Sequence, residues 1–205
     1  MQPDAEILAD LVPEKLLWAY AHGAFPMVDA GQLMWFSPEV RGLLPLDERF
    51  HVSRSLRRTI RGGRFECTID TCFPAVMDLC SRLRDEGTWI SPEMKVAYCR
   101  LAELGLAHSV EVWPAGRVGC EQPVGGLYGV SIGGAFFAES MFHRVTDAGK
   151  VAVVHLAQRL ASRGFLLCDV QWTTDNLIRF GAFDIPRDEY LDLLAGAVST
   201  ECSFA

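Results

Sequence analysis

The 205-residue chain has no uninterrupted apolar run long enough to span a bilayer. Its first fifteen residues, MQPDAEILADLVPEK, are acidic and lack the basic start and long apolar segment of a secretory signal. The expected setting is the cytoplasm, with no membrane partner. Low-complexity tracts and internal repeats are missing, and half the residues are apolar. That composition describes a globular chain of one or two domains with ample core. Seven cysteines (67, 72, 80, 99, 120, 168 and 202) form no C-x-x-C pair and no zinc-spaced cluster with histidine. The five histidines are dispersed, so no metal is expected. Most of the cysteines read as small buried hydrophobes of a reducing compartment. Excess basic charge is also lacking. A net charge of −7 argues against indiscriminate nucleic-acid binding but leaves local patches open.

One such patch is present. Arg54, Arg57, Arg58, Arg61 and Arg64 fall within eleven residues, and no acidic face matches them. Ser53 can cap a helix here, and Gly62-Gly63 can end it. The i, i+3, i+4, i+7 spacing of the first four puts them on one helical face. The face is either solvated or a phosphate-binding stripe, and the acidic background favours the stripe.

Residues 124–143 organise the rest. Two apolar runs, 127–132 and 135–142, flank Gly133-Gly134, which signals a hairpin. Glu139 is the one acid in the second run, among Phe136, Phe137, Met141 and Phe142. A carboxylate there must be paired, or it is costly. It either points out of the sheet or lines a pocket. Residues 165–171 form a second apolar strand ending in Asp169 and Gln171. Their i, i+2 spacing puts both on one sheet face. The end of this strand either faces a site or emerges into solvent.

The remaining elements follow from period and punctuation. A short helix is expected over 12–22 after Pro13, stopped by Gly23. Residues 23–38, with prolines at 26 and 38, read as loop, where Trp35 and Phe36 are either small-domain core or a stacking platform. A strand at 65–70 precedes helices at 73–84 and 92–104, with Trp89 in the loop between them. Alternation over 107–114 predicts a strand, and 148–163 a long helix stopped by Gly164. Short helices at 174–181 and 187–198 close the chain. After a loop-rich start, the order is β-α-α-β-β-β-α-β-α-α, an α+β (mixed α/β) fold with a central mixed sheet flanked by helices.

Taken together, these stretches resemble the leucyl/phenylalanyl-tRNA–protein transferase family over nearly the whole chain. The matching stretches are Ala-Tyr-x-x-Gly-x-Phe-Pro at 19–26, Trp-x-Ser-Pro-x-x-Arg at 35–41 and Gly-Thr-Trp-Ile at 87–90. His-Ser-x-Glu-Val-Trp at 108–113, Gly-Gly-x-Tyr-Gly-Val at 125–130 and Glu-Ser-Met-Phe at 139–142 follow. Asp-x-Gln at 169–171 and Phe-Gly-Ala at 180–182 complete the set.

The resemblance implies a small N-terminal domain, residues 1–50, and a GNAT-like acyltransferase domain, residues 51–205. It implies transfer of Leu or Phe, less well Met, from aminoacyl-tRNA to the α-amine of proteins beginning with Arg or Lys. The products would enter the N-degron degradation pathway. It implies a monomer and no metal or nucleotide cofactor. Asp169, Gln171 and Glu139 match the family's active-site residues. Leu127, Phe136, Met141 and Val153 fall at or near its aminoacyl side-chain pocket. Met27 and Trp89 fall where the 3′-terminal adenosine is met, and the arginine stripe where the acceptor stem would lie. An apolar pocket selects Leu and Phe by burial, at about 0.8 kcal/mol per methylene. It rejects similar side chains only weakly, which accounts for tolerance of Met.

Against the family pattern, Ala138 stands for Gly, His143 and Gly149 for Ser, Asn176 for His and Arg179 for Ser, which opens substrate choice. Two rivals follow. One is a non-catalytic or substrate-shifted tRNA-binding relative. The other is a CoA-dependent N-acyltransferase, whose pyrophosphate-gripping turn would have to be residues 122–127.

Overall fold

The structure, a computed structural model, describes residues 5–29, 32–82, 88–119 and 122–205. The chain opens with two helices, α1 (Ala5–Asp10) and α2 (Pro13–Ala21). Pro13 starts α2 where its missing N–H is no loss, and Gly23 at φ 78° turns the chain away after it. The sequence signals for α2 hold, whereas α1 was not anticipated.

Residues read as loop form a hairpin instead, β1 (Phe25–Asp29) against β2 (Gln32–Phe36). Pro26 obscures the strand pattern, but a two-stranded sheet tolerates it because each strand has a free edge. Phe25 faces Phe36 across the pair, and their rings stack at 6.1 Å.

Next come β3 (Val40–Leu43), α3 (Arg54–Arg61), β4 (Phe65–Ile69), α4 (Phe73–Arg82) and α5 (Pro92–Glu103). Ser53 caps α3 by accepting from Leu56 N–H, and Ser91 caps α5 by accepting from Met94 N–H. Then follow β5 (Ala107–Pro114), β6 (Gly125–Ile132), β7 (Ala135–His143) and α6 (Ala148–Ser162). The chain ends with β8 (Leu167–Gln171), α7 (Asp175–Ile178), β9 (Phe183–Pro186) and α8 (Arg187–Val198). Gly133, at φ 55°, makes the expected tight turn between β6 and β7. The expected end of α4 at residue 84, Gly87 of the Gly-Thr-Trp-Ile stretch, and Cys120 lie outside the described residues.

The seven-stranded sheet has the order β4-β5-β6-β7-β8-β3-β9, and the smaller sheet is β1-β2. In the large sheet only β7 and β8 run parallel, joined through α6. The mixed α+β architecture is therefore as expected. Strand β9 was not anticipated. It is four residues long and ends in Pro186, and only an edge position accommodates it. Strand β3 threads between β8 and β9, which brings Arg41 and Gly42 into the centre of the molecule.

Two apolar layers cover the sheet. One unites α2, α4, α5 and α8 through Tyr20, Met77, Tyr98 and Leu194. The other is built on α6, with Leu56 of α3 and Phe204 of the C-terminal tail. The cysteines within the described residues are free thiols, buried or half-buried. Burial, with Glu111 adding to it, pushes the Cys67 thiol up to about 11 and Cys72 to about 12. They remain protonated near neutral pH, as small hydrophobes should.

The 108–113 stretch has a structural task. Glu111 accepts from Thr68 Oγ1 at 2.7 Å and Ser109 Oγ at 2.5 Å, and Trp113 Nε1 donates to Thr68 Oγ1 at 2.8 Å. The network ties β4 to β5. Among the described residues none of these four lines the site below.

Candidate active site

The β7–β8 ladder ends at Phe137 opposite Asp169. Past that point the two strands part. Residues 138–141 of β7 and 170–172 at the end of β8 then line a cavity of about 470 Å³. Leu127 of β6, Met141 of β7, and Val153 and Leu156 of α6 make its apolar wall. Phe25 and Met27 of β1 and Trp89 form a second wall, with Val28 N–H donating to Trp89 O at 3.4 Å. Glu139 and Gln171 supply polar groups to the lining.

The structure therefore brings Met27, Trp89, Leu127, Glu139, Met141, Val153 and Gln171 to one cavity. Phe136 is fully buried in the core cluster that holds Leu127, Val153 and Leu156, where its ring stacks on Phe204 at 5.1 Å, and it does not itself line the cavity. Asp169 stands behind the cavity, its side chain fully buried and outside the lining.

Asp169 accepts from Arg41 through Nε at 3.0 Å and Nη2 at 2.6 Å, and from Tyr190 Oη at 2.8 Å. Gln171 backbone N–H donates to Asp169 Oδ1 at 2.8 Å. The contact with Gln171 is thus made to its backbone, and it sets where the carboxamide sits. The Arg41 guanidinium lies between the Phe25 and Tyr190 rings, 4.7 and 4.5 Å from their centroids, and donates to Gly23 O at 2.9 Å. A buried pair of this kind needs every donor and lone pair satisfied, and here the fork, the phenol and the backbone N–H do that.

Glu139 is only 8% exposed. Tyr20 Oη donates to Glu139 Oε1 at 2.7 Å, Tyr98 Oη reaches Oε2 at 3.5 Å, and the two phenols hydrogen-bond each other. Burial, with repulsion from Asp169, pushes the carboxyl up to about 8 against the pull of Tyr20 and Arg41. The Gln171 amide end lies 3.3 Å from Glu139 Oε1. Turned so that its nitrogen donates to Ala138 O at 2.9 Å and Val170 O at 3.0 Å, it presents its oxygen to Glu139. That orientation suits a protonated Glu139, which has a proton to donate, and it satisfies both groups.

Arg41, Tyr20, Tyr98, Tyr190 and Trp172 carry no role in the sequence reading. The signal for Arg41 was a cation directly before an apolar run. Among the family departures, Ala138 and Asn176 reach the cavity lining, whereas His143 and Arg179 are exposed elsewhere. Residues 122–127 run into β6, so no helix N-terminus stands there to grip pyrophosphate.

The four arginines of α3 and Arg64, just before β4, are exposed, and no ion pair among the described residues engages any of them. Leu56 docks the helix beside α6, and Thr59 Oγ1 donates at 3.4 Å to Asp147, the residue directly before α6. No group of three or more His, Cys, Asp or Glu among the described residues could hold a metal ion. No helix among them is long and apolar enough to cross a membrane.

Residues 43–195 match the family described as leucyl/phenylalanyl-tRNA protein transferase, and residues 9–39 match its N-terminal domain. The chain is 50% identical over 194 residues to a leucyl/phenylalanyl-tRNA–protein transferase of Herpetosiphon aurantiacus, covering 95% of this chain and 98% of the relative. A protein of the same name from Nitratidesulfovibrio vulgaris is 50% identical over 192 residues, 92% of this chain and 80% of the relative. One from Akkermansia muciniphila is 45% identical over 194 residues, 93% and 98% respectively. These matches place the chain among the aminoacyltransferases. It belongs to the leucyl/phenylalanyl-tRNA–protein transferase family.

Proposed function

We propose that this chain moves Leu or Phe, and less well Met, from aminoacyl-tRNA to the α-amine of proteins that begin with Arg or Lys. The products would feed N-degron degradation in the cytoplasm, and the enzyme would act as a monomer. The observation that carries this reading is the gathering of seven candidate side chains around one cavity. We further read residues up to about 39 as the small N-terminal unit, since β3 already belongs to the large sheet.

In this reading Leu127, Met141, Val153 and Leu156 bury the donor's side chain. Its ester then lies toward Glu139 and Gln171, and the terminal adenosine lies against Met27 and Trp89. The acceptor amine has a pKa near 8, so roughly a tenth is neutral at pH 7 and ready to attack. Its nitrogen bonds to the ester carbon as the bond to the ribose oxygen breaks, and a proton ends on the released ribose hydroxyl. The Gln171 carboxamide oxygen accepts from the attacking amine and aligns it. Asp169 and Arg41 hold the backbone that carries Gln171, and Glu139 orients the carboxamide. The ester is already activated, so positioning supplies most of the acceleration. The α3 arginines meet the phosphates of the acceptor stem.

Transfer of labelled Leu from charged tRNA to peptides beginning with Arg, Lys, Asp or Ala tests the acceptor side. Product on Arg and Lys alone supports the reading. Product on Asp means a changed acceptor site, and tRNA binding without any transfer means a non-catalytic relative.

A further inference from the structure

Trp172 lines the cavity, yet its side chain is 46% exposed and the reading above gives it no task. Three features hold it at the rim. Its N–H donates to Val170 O at 2.7 Å, closing a three-residue turn on Gln171 at φ 60°. Turns of this hand are rare and strained, and such strain gathers at functional sites. Gly42 lies beneath. A Cβ there would sit 2.7 Å from Thr173 N and 2.8 Å from the Trp172 carbonyl carbon, so only glycine lets the turn pass this close to β3. Phe25 meets the indole edge-on, with centroids 5.2 Å apart at 84°.

A half-exposed indole fixed this way is a preorganised contact surface. Its face attracts a cation more strongly than that of any other side chain. Gln171, one residue before it, stands where the acceptor amine arrives in the proposed reaction. Glu139 is the one acidic side chain among the described residues of the cavity lining. In the proposed reaction Met27 and Trp89 are taken by the donor's adenosine. We propose that Trp172 receives the cationic side chain of the acceptor's first residue on its indole face while that residue's amine meets Gln171. This rests on the aminoacyl-transfer reading and adds to it the group that reads the acceptor's charge.

The test is steady-state transfer by the full chain from leucyl-tRNA to peptides beginning with Arg, Lys or citrulline, a neutral analogue of arginine. Wild type, Trp172→Leu and Trp172→Phe are compared, with thermal unfolding to show that each is folded. Trp172→Leu should raise KM for the Arg and Lys peptides about tenfold and narrow the preference for Arg over citrulline. Trp172→Phe, which keeps a ring, should raise it about threefold or less. KM for leucyl-tRNA should stay within about twofold in both. A raised KM for leucyl-tRNA with peptide KM unchanged would overturn the proposal and assign the indole to the donor's base. No change in either KM would overturn it as well. If wild type uses citrulline as well as arginine, the acceptor reading itself fails and this inference with it. If wild type discriminates and Trp172→Leu does so equally, the indole assignment alone falls.

Discussion

Arg41 and Asp169, 128 residues apart, meet 2.6 Å apart in the centre of the molecule, with side chains 1% and 0% exposed. The pair locks β3 to β8 and fixes the backbone N–H of Gln171. It turns a crossing of two strands into a rigid mount for the cavity's carboxamide.

Replacing Arg41 with Gln leaves a buried carboxylate without its fork. The loss of one partner of a buried pair costs about 3–5 kcal/mol, mainly from the uncompensated charge. Urea unfolding should show the unfolding free energy lowered by that amount, as a fall in midpoint at unchanged m. Transfer should fall further than stability explains under conditions where the variant remains folded, because Gln171 loses its mount.

Glu139 makes stability depend on pH. Its folded carboxyl titrates near 8 and its unfolded one near 4.5. Between those values the folded chain holds a proton that the unfolded chain has released. Stability therefore falls as pH rises through that window. Glu139→Gln removes the term, so its unfolding curve should gain on wild type as pH rises, by up to on the order of 4 kcal/mol by pH 9. Denaturation at pH 5.5, 7 and 8.5 measures this, and parallel profiles would remove the buried, protonated carboxyl from the account.

The arginine stripe predicts salt dependence. Arg57→Ala and Arg58→Ala should each weaken tRNA binding about equally for all tRNA sequences. Each should lower the slope of log affinity against log salt by roughly 1. Filter binding at several salt concentrations reads this directly. An unchanged slope would return the stripe to solvent.

Much of this was legible in the sequence, and the parts that were not share a cause. The β6–β7 hairpin, α3, α5 and α6 announce themselves by long periodic runs, caps and glycine stops. Strands β1, β2 and β9 are only four or five residues long, and β1 and β9 carry proline, so their pattern is broken. Glu139, Gln171, Met141 and Trp89 line one cavity, while Phe136 packs behind its apolar wall against Phe204 from the far end of the chain. Arg41, Tyr20, Tyr98 and Tyr190 take their meaning from contacts across 21 to 128 residues, and no local spacing encodes those. Trp172 depends on a single backbone turn and one glycine on another strand, which no periodicity displays.

The most direct measurement is transfer of Leu, Phe and Ala from their charged tRNAs to an Arg-start peptide, by wild type and by Gln171→Ala. Leu and Phe should be used far ahead of Ala, by roughly 2 kcal/mol or more, since the larger side chains fill the apolar wall. Gln171→Ala should bind tRNA normally and transfer poorly. Equal use of Ala, or undiminished transfer without the carboxamide, would contradict the claim that this cavity holds the aminoacyl end and aligns the attack.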